Sequence, residues 1–289
     1  MISSHFKEHI AHALGSHISK INTISGGDIS KAYCVHTSAQ RFFLKVNESA
    51  IAFEMFLAEK KSLENINLTK TIKVPKVIHC GQHESSSYLL LEFIESKNPT
   101  SKEFEALGHQ LADLHTFSVD DSFGWEQDNY IGTLPQSNKN HTNWPLFYVH
   151  ERLLPQLKMA KEKGLLNSSD IPSESNLVQG CGQFFPKVKP ALLHGDLWSG
   201  NFLISAQGIP YLIDPALYFG HHEVDLAMTQ LFGGFSSSFI AAYAEQIPAE
   251  SLQNERRDIY QLYYLLVHLN LFGRTYYPSV KQLLKTYFN

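Results

Sequence analysis

The chain has 289 residues, of which 43% are hydrophobic and 18% are charged, so it can bury one large core or two smaller ones. Its formal net charge is −4 and it has no dense run of Lys and Arg, which argues against a nucleic-acid-binding protein. The N-terminus lacks a basic-then-apolar leader and the apolar stretches are interrupted by polar residues, so we expect a cytoplasmic protein without a membrane span. Three unpatterned cysteines argue against a disulfide framework and a structural zinc site.

The N-terminal third of the chain is predicted to contain one helix followed by strands. Helical spacing of apolar residues predicts a helix over residues 6–14. The strands predicted after it cover residues 18–24, 32–36 and 41–46. Gly26 and Gly27 lie between the first two strands, where backbone N–H groups could approach phosphate oxygens, although a glycine pair alone is more typical of a plain hairpin turn. Asp28 would repel a bound phosphate unless its side chain points away.

Lys45 is the single cation of a run, residues 42–46, that is apolar enough to be buried on both faces. A buried Lys is costly unless an opposite charge pairs with it. The helix predicted over residues 50–63 offers both Glu54 and Glu59 as partners, and helical periodicity does not choose between them.

The middle of the chain changes from strands to helices. A strand is predicted at residues 74–78, beginning beside Pro75, and another at residues 86–94. The polar stretch directly after them is interpreted as a hinge between an N-terminal lobe, residues 1–95, and a C-terminal lobe, residues 96–289. Helical spacing then predicts helices at residues 102–115, 144–161, 223–232 and 256–272.

Two short apolar runs, residues 191–193 and 211–213, each deliver a carboxylate at their C-terminal end, Asp196 and Asp214. Asn201 lies in the loop between them. A carboxylate at Asp196 can accept the proton of an attacking hydroxyl group, and the amide oxygen of Asn201 and the carboxylate of Asp214 suit Mg²⁺. Each residue alone would be an ordinary turn residue, but the full arrangement favours a phosphotransferase.

These motifs resemble those of the fructosamine kinase (ketosamine 3-kinase) family. The resemblance is carried by His194–Asn201 (HGDLWSGN), Ile213–Ala216 (IDPA) and the acidic start of the helix that contains Asp225. The spacing from Asp196 to Asn201 also resembles the catalytic loop of protein kinases. Because residues 123–138 and the terminal helix resemble the same family, the likeness covers essentially the whole chain.

The resemblance implies an α+β, two-lobed protein-kinase-like fold, with a small β-sheet N-lobe and a larger, mainly helical C-lobe. It implies ATP- and Mg²⁺-dependent phosphorylation of the 3-hydroxyl of ketosamines on protein lysines or free amines. The 3-phosphate then eliminates and frees the amine, so glycated proteins or free ketoamines are the expected substrates. The sequence does not choose between ribulosamine, erythrulosamine and fructosamine, and it leaves the oligomeric state open.

The resemblance also assigns residues to the nucleotide. It selects Glu59 as the partner of Lys45, and it places Gly26 and Gly27 at the phosphates. The end of the strand at residues 86–94 would offer backbone groups, around Glu92 and Ile94, to the adenine edge.

Two further residues of the motif receive roles from the resemblance. The indole of Trp198 can present a flat apolar face to a sugar, although a large aromatic residue is also a common core residue. Asp225 is expected to accept hydrogen bonds from the backbone of the catalytic loop. His221 and His222 depart from the usual family pattern. The chain has 15 histidines, and we interpret most of them as solvated.

Two alternatives to a ketosamine kinase remain. An aminoglycoside- or choline-type kinase would need an acidic acceptor pocket for a cationic substrate, and Trp198 argues weakly against it. A nucleotide-binding pseudokinase is disfavoured because the candidate catalytic residues are all present in the sequence.

Overall fold

A computed structural model describes residues 2–24, 29–117 and 121–288. The helices are α1 (Ser4–Leu14), α2 (Ala52–Thr69), α3 (Ser101–Thr116), α4 (Trp144–Phe147), α5 (Leu154–Glu162), α6 (Glu174–Phe184), α7 (Glu223–Leu231), α8 (Ser237–Gln246), α9 (Gln253–Phe272) and α10 (Tyr277–Phe288). The strands are β1 (Ile18–Ile24), β2 (Lys31–Thr37), β3 (Arg41–Asn47), β4 (Val77–His83), β5 (Ser86–Glu92), β6 (Ser96–Lys97), β7 (Asn129–Ile131), β8 (Leu134–Gln136), β9 (Ala191–Leu193), β10 (Phe202–Ser205), β11 (Pro210–Leu212) and β12 (Tyr218–Gly220). A π-helical turn, Tyr148–Leu153, joins α4 to α5, and short 3₁₀ turns cover Ser168–Asp170 and Arg274–Tyr276.

The chain forms two compact units. The first comprises Met1–Asn98 and Leu203–Asp214, and the second comprises Pro99–Phe202 and Pro215–Asn289. The first unit therefore includes residues 203–214, which the division at residue 95 assigns to the C-terminal lobe. That division into functional lobes stays a prediction.

The first unit is built on an antiparallel five-stranded sheet with the order β1-β2-β3-β5-β4. Alternate side chains of β3 are buried, so Leu44 packs with Phe6 and Ile10 of α1 in one core. Phe43 and Lys45, on the opposite face, are half-buried. On this face only 12% of the Lys45 side chain is exposed, because its ammonium group meets Glu59 of α2.

Two strand boundaries in the first unit differ from the prediction. The strand expected to begin beside Pro75 begins at Val77, because proline has no N–H group to donate to a ladder. The strand expected to reach residue 94 ends at Glu92. The polar hinge stretch that follows contains β6, which pairs with β10 through Lys97 and Ile204.

The second unit is mainly helical, as predicted. Its longest helix, α9, ends at Gly273 and buries an apolar stripe in the largest core of the unit. The structure also contains α6, α8 and α10, three helices that apolar spacing does not predict. No helix among the described residues has the length and apolarity that crossing a membrane requires.

Candidate active site

Lys45 forms two ion pairs within the first unit. Its Nζ lies 2.8 Å from Oε1 of Glu59 on α2 and 2.5 Å from Oδ1 of Asp214, which follows β11. The pairing with Glu59 is the one that the resemblance selected, and Glu54 is not the partner. Asp214 has a left-handed backbone, with φ of 55°, a conformation that is uncommon for a residue other than glycine and that recurs at functional sites.

The charges of this cluster do not balance, because one ammonium group faces two carboxylates. Burial alone would lower the pKa of Lys45, but Asp214 and Glu59 outweigh it and raise that pKa. Burial raises the pKa of Glu59, and the negative charge of Asp214 adds to the effect although Lys45 opposes it. The side chain of Asp214 is 39% exposed, whereas those of Lys45 and Glu59 are 12% and 14% exposed. A carboxylate with excess negative charge and an open side fits a divalent cation.

The remaining nucleotide residues of the first unit are only partly described. Gly26, Gly27 and Asp28 lie outside the described residues. At the end of β5, the backbone N–H of Glu92 donates to the carbonyl oxygen of Lys76 at 2.8 Å. The adenine contacts expected around Glu92 and Ile94 stay a prediction.

Residues 194–201, which we call the catalytic loop after the family motif that they carry, fold back on themselves. The side-chain amide nitrogen of Asn201 donates to the backbone oxygen of Asp196 at 2.8 Å and to its Oδ2 at 3.2 Å. These bonds occupy the nitrogen of Asn201, so Oδ1 is the atom that could bind a metal ion. Asp196 is half-buried. Its role as the catalytic base stays a prediction, as do the metal roles of Asn201 and Asp214.

Asp225 at the start of α7 fixes the backbone of this loop, as expected. Its fully buried carboxylate accepts hydrogen bonds from the backbone N–H groups of His194 at 2.7 Å and Gly195 at 2.9 Å. Nε2 of His115 lies 3.0 Å from the same carboxylate. Burial alone would raise the pKa of Asp225, but the hydrogen bond and charge of His115 lower it.

Gly195 is required by close packing. Its φ is +83°, and a Cβ at this position would lie 2.1 Å from the carbonyl oxygen of Ala216. The hydroxyl group of Tyr264 donates to the carbonyl oxygen of Gly195 at 2.8 Å. The loop is thus held from α7, from α9 and from the chain that precedes β12.

Trp198 lies on the surface of the second unit and is 36% exposed, so it is not a core residue. Its indole ring covers Gly200, where an added Cβ would lie 2.3 Å from the ring. The contact of Trp198 with a substrate stays a prediction.

His221 is buried and His222 is half-buried, so neither is among the solvated histidines. Nδ1 of His221 lies 2.7 Å from the hydroxyl group of Tyr260, and Nδ1 of His222 lies 3.0 Å from that of Tyr243. Both rings pack against buried aromatic residues of the second unit, so burial lowers the pKa of each. Together with Glu223 the pair could reach one metal ion, but both oxygens of Glu223 already accept hydrogen bonds from Arg256.

Residues 123–138 contain several amide side chains to which the sequence alone assigns no individual roles. Three polar residues there are buried, with 5%, 2% and 0% exposure for Asn129, Gln136 and Asn138. A hairpin of β7 and β8 carries Asn129 and Gln136. The repeated amides in this segment are the available signal, but the sequence does not show that they also bond to Leu217, Tyr263 and Arg152, which lie outside it.

The fold and these residues define the class of protein. An antiparallel sheet with a Lys–Glu pair and a mainly helical unit with an Asp-to-Asn catalytic loop are the parts of a protein-kinase-like phosphotransferase. The crystal structure of a thermostable aminoglycoside phosphotransferase APH(4)-Ia has the same fold, with a TM-score of 0.63 over 97% of this chain and 98% of that chain at 16% identity.

A sequence profile described as fructosamine kinase matches residues 2–289. A probable ketoamine kinase of Synechocystis is 39% identical over 93% of this chain and 90% of its own length. Protein-ribulosamine 3-kinase of Arabidopsis thaliana is 38% identical over 93% of this chain and 83% of its own length. A crystal structure of a candidate fructosamine-3-kinase from Haemophilus somnus matches with a TM-score of 0.88 and 29% identity, over 98% of this chain and 96% of that chain. The chain belongs to the fructosamine kinase family, and it is a kinase that phosphorylates a hydroxyl group.

Proposed function

We propose that the protein uses ATP to phosphorylate the 3-hydroxyl of ketosamines on protein lysines or free amines, which leads to deglycation. The observation that carries this proposal is the exposed indole of Trp198, two residues after Asp196 in a chain of this family. An exposed aromatic face beside the candidate base suits the carbon chain of a sugar. The names of the ketoamine kinase and ribulosamine 3-kinase relatives support the same substrate class.

The nucleotide role rests on the charges of the first unit. We assign Lys45, held by Glu59, to the phosphates of ATP. We assign Asn201 and Asp214 to Mg²⁺, because both offer an oxygen ligand and Asp214 carries unbalanced negative charge. When bound, Mg²⁺ would neutralise charge on the phosphates.

Asp196 has the chemistry of the base in this proposal. Its carboxylate accepts the proton of the 3-hydroxyl as that oxygen forms a bond to the γ-phosphorus of ATP. The bond from the γ-phosphorus to the bridging oxygen breaks, and ADP leaves. The hydrogen bond from Asn201 to Oδ2 of Asp196 orients the carboxylate for this step.

The phosphorylated ketoamine then loses a proton from carbon 1 and inorganic phosphate from carbon 3, which leaves an imine. Hydrolysis of the imine by water releases the sugar as a dicarbonyl compound and frees the amine, which restores the lysine of a glycated protein. The sugar of the natural substrate and the choice between protein-bound and free acceptors are left open by this proposal. A cytoplasmic location stays a prediction.

The proposal is tested by mass spectrometry of a ribulosylated lysine peptide incubated with the protein, with and without Mg-ATP. We expect an ATP-dependent gain of one phosphate, followed by return of the unmodified lysine. Asp196→Asn should still bind Mg-ATP but lose turnover by about two orders of magnitude or more. Asp113→Asn, an exposed change on α3 of the same unit, is the matched control and should keep full turnover.

Two outcomes would contradict the proposal. If ATP binds but no ribulosyl, erythrulosyl or fructosyl amine gains phosphate, the acceptor is wrong, and amino alcohols and aminoglycosides become the next substrates to assay. If Asp196→Asn retains the turnover of the parent protein, the assignment of the base is wrong.

A further inference from the structure

Three buried polar side chains of the second unit form a directional chain of hydrogen bonds. The hydroxyl group of Tyr263 on α9 donates to Oε1 of Gln136 at 2.6 Å. Nε2 of Gln136 donates to Oδ1 of Asn129 at 2.7 Å. The exposed fractions of Tyr263, Gln136 and Asn129 are 1%, 2% and 5%, so water does not compete for these bonds.

This chain of bonds ends on the backbone that supports the catalytic loop. Nδ2 of Asn129 donates to the carbonyl oxygen of Leu217 at 2.8 Å. Ala216, the residue before Leu217, donates its N–H to the carbonyl oxygen of His194 at 2.9 Å. The next residue, Tyr218, pairs with Leu193 in the ladder between β12 and β9. Residues 216–218 therefore connect the β7–β8 hairpin to β9, the strand that leads into His194.

The loop has little room to adjust if this segment moves. Gly195 already packs so closely on the carbonyl oxygen of Ala216 that a Cβ could not be accommodated. Tyr264, next to Tyr263 on α9, holds the other side of Gly195 through its hydroxyl group. Two consecutive tyrosines of α9 thus support the backbone just before Asp196. Tyr264 bonds to it directly, and Tyr263 is linked to it through the amides of Gln136 and Asn129.

We infer that Gln136 and Tyr263 are positioning residues, which set the place of Asp196 through the 216–218 backbone. Neither residue is assigned to substrate or nucleotide. The catalytic consequence rests on the proposed function, whereas the structural consequence, tighter fixation of the loop, does not. Buried amides with both ends bonded fix one arrangement of the backbone, because any displacement leaves a donor or an acceptor unpaired.

The test uses the full chain and three variants. Tyr263→Phe removes one hydroxyl group, and Gln136→Met, of similar size, removes the three hydrogen bonds of the amide, including one of 3.4 Å from its Nε2 to the carbonyl oxygen of Ala216. Gln156→Met is the matched control, because Gln156 is also 2% exposed and its Oε1 accepts from Asn270 at 2.8 Å between α5 and α9. If Gln136→Met does not fold, comparison of Tyr263→Phe with Gln156→Met still tests the inference.

Two readouts separate positioning from general stability. Amide hydrogen exchange of a peptide covering residues 192–201 should speed up by about tenfold in Tyr263→Phe and Gln136→Met, and by less than about twofold in Gln156→Met. The kcat for ketosamine phosphorylation should fall about 10- to 100-fold in the first two variants, with the KM for ATP within about twofold of the parent value. The control should lose thermal stability but keep its kcat.

Unchanged exchange of residues 192–201 in both test variants would overturn the inference, and so would faster exchange with an unchanged kcat. A parent protein that phosphorylates no ketosamine would refute the proposed function instead. The exchange measurement would still decide, in that case, whether Gln136 and Tyr263 hold the loop.

Discussion

Replacing Asp225 by Asn tests how the catalytic loop is held. The buried carboxylate of Asp225 receives the N–H groups of His194 and Gly195 and lies against Nε2 of His115. Asn has nearly the same shape, but one oxygen becomes an NH₂ group. At least one of the three neighbouring groups then faces a donor where it had an acceptor, and the remaining bonds lose the help of the negative charge.

The cost follows from these contacts. An unpaired buried donor costs about 1–3 kcal/mol, and the loss of charge assistance on the other bonds adds a similar amount, so we expect about 3–5 kcal/mol in the free energy of unfolding. At about 2–4 °C per kcal/mol for a chain of this size, the Tm should fall by about 10 °C. The kcat should also fall about 10- to 100-fold, since small displacements of a catalytic group are costly.

The assay combines thermal unfolding with steady-state phosphorylation of a ketosamine. Asp258→Asn is the control, because Asp258 is a half-buried carboxylate on α9 that accepts from Tyr287 and lies away from the loop. It should shift the Tm by no more than about 3 °C. An Asp225→Asn protein with the parent Tm and kcat would show that this carboxylate does not hold the loop.

Three other substitutions test the roles of Lys45, His222 and Trp198. Lys45→Met leaves two carboxylates without their cation, so kcat/KM for ATP should fall by about a thousandfold or more, and retained activity would contradict the role of Lys45. Because burial lowers the pKa of His222 to about 3 from its ordinary 6.5, the unfolded state binds the extra proton, and the free energy of unfolding should decrease as the pH falls below 6.5, by up to about 1.4 kcal/mol per pH unit for this group. When the free energy of unfolding is measured by denaturant titration at several pH values, it should change less steeply with pH in His222→Gln than in the parent protein. An equal dependence on pH would show that the pKa of His222 is not lowered. Trp198→Ala should raise the KM for a ketosamine about tenfold with an unchanged KM for ATP and little change in Tm, because the indole is exposed, and an equal rise in both KM values would argue against a substrate contact.

Much of the fold could be predicted because apolar periodicity is a local property of the sequence. The helices around Ile10 and Leu262 and the strands around Leu44 and Leu192 follow directly from that spacing. The α6 helix was missed because Gly180 and Gly182 weaken its helical signal, although Gly180 packs closely against Phe288 of α10.

The candidate site was predictable where its chemistry lies in one short motif. Asp196 and Asn201 are five residues apart and form a hydrogen bond to each other. The choice of Glu59 over Glu54 needed the family resemblance, because a helix presents several charges and periodicity does not say which one meets Lys45.

Apart from Asp225, which the family resemblance assigned, the supporting residues could not be predicted, because their partners are distant in sequence. Gln136 bonds to Tyr263, which lies 127 residues further along the chain. The buried state of His221 depends on Tyr260, 39 residues away. From composition alone, polar residues of this kind are expected to be solvated. Only the folded structure shows which backbone groups they satisfy by hydrogen bonds.

In the proposed reaction, the protein places a phosphate on the 3-hydroxyl of a ketosamine. The most direct measurement is a proton–phosphorus correlation by NMR on the product formed from ribulosyl-lysine and Mg-ATP, recorded before elimination is complete. We expect coupling of the phosphorus to the proton on carbon 3, and no such signal with Asp196→Asn. A phosphate on any other carbon, or none on the ketosamine while ATP still binds, would contradict the proposed reaction.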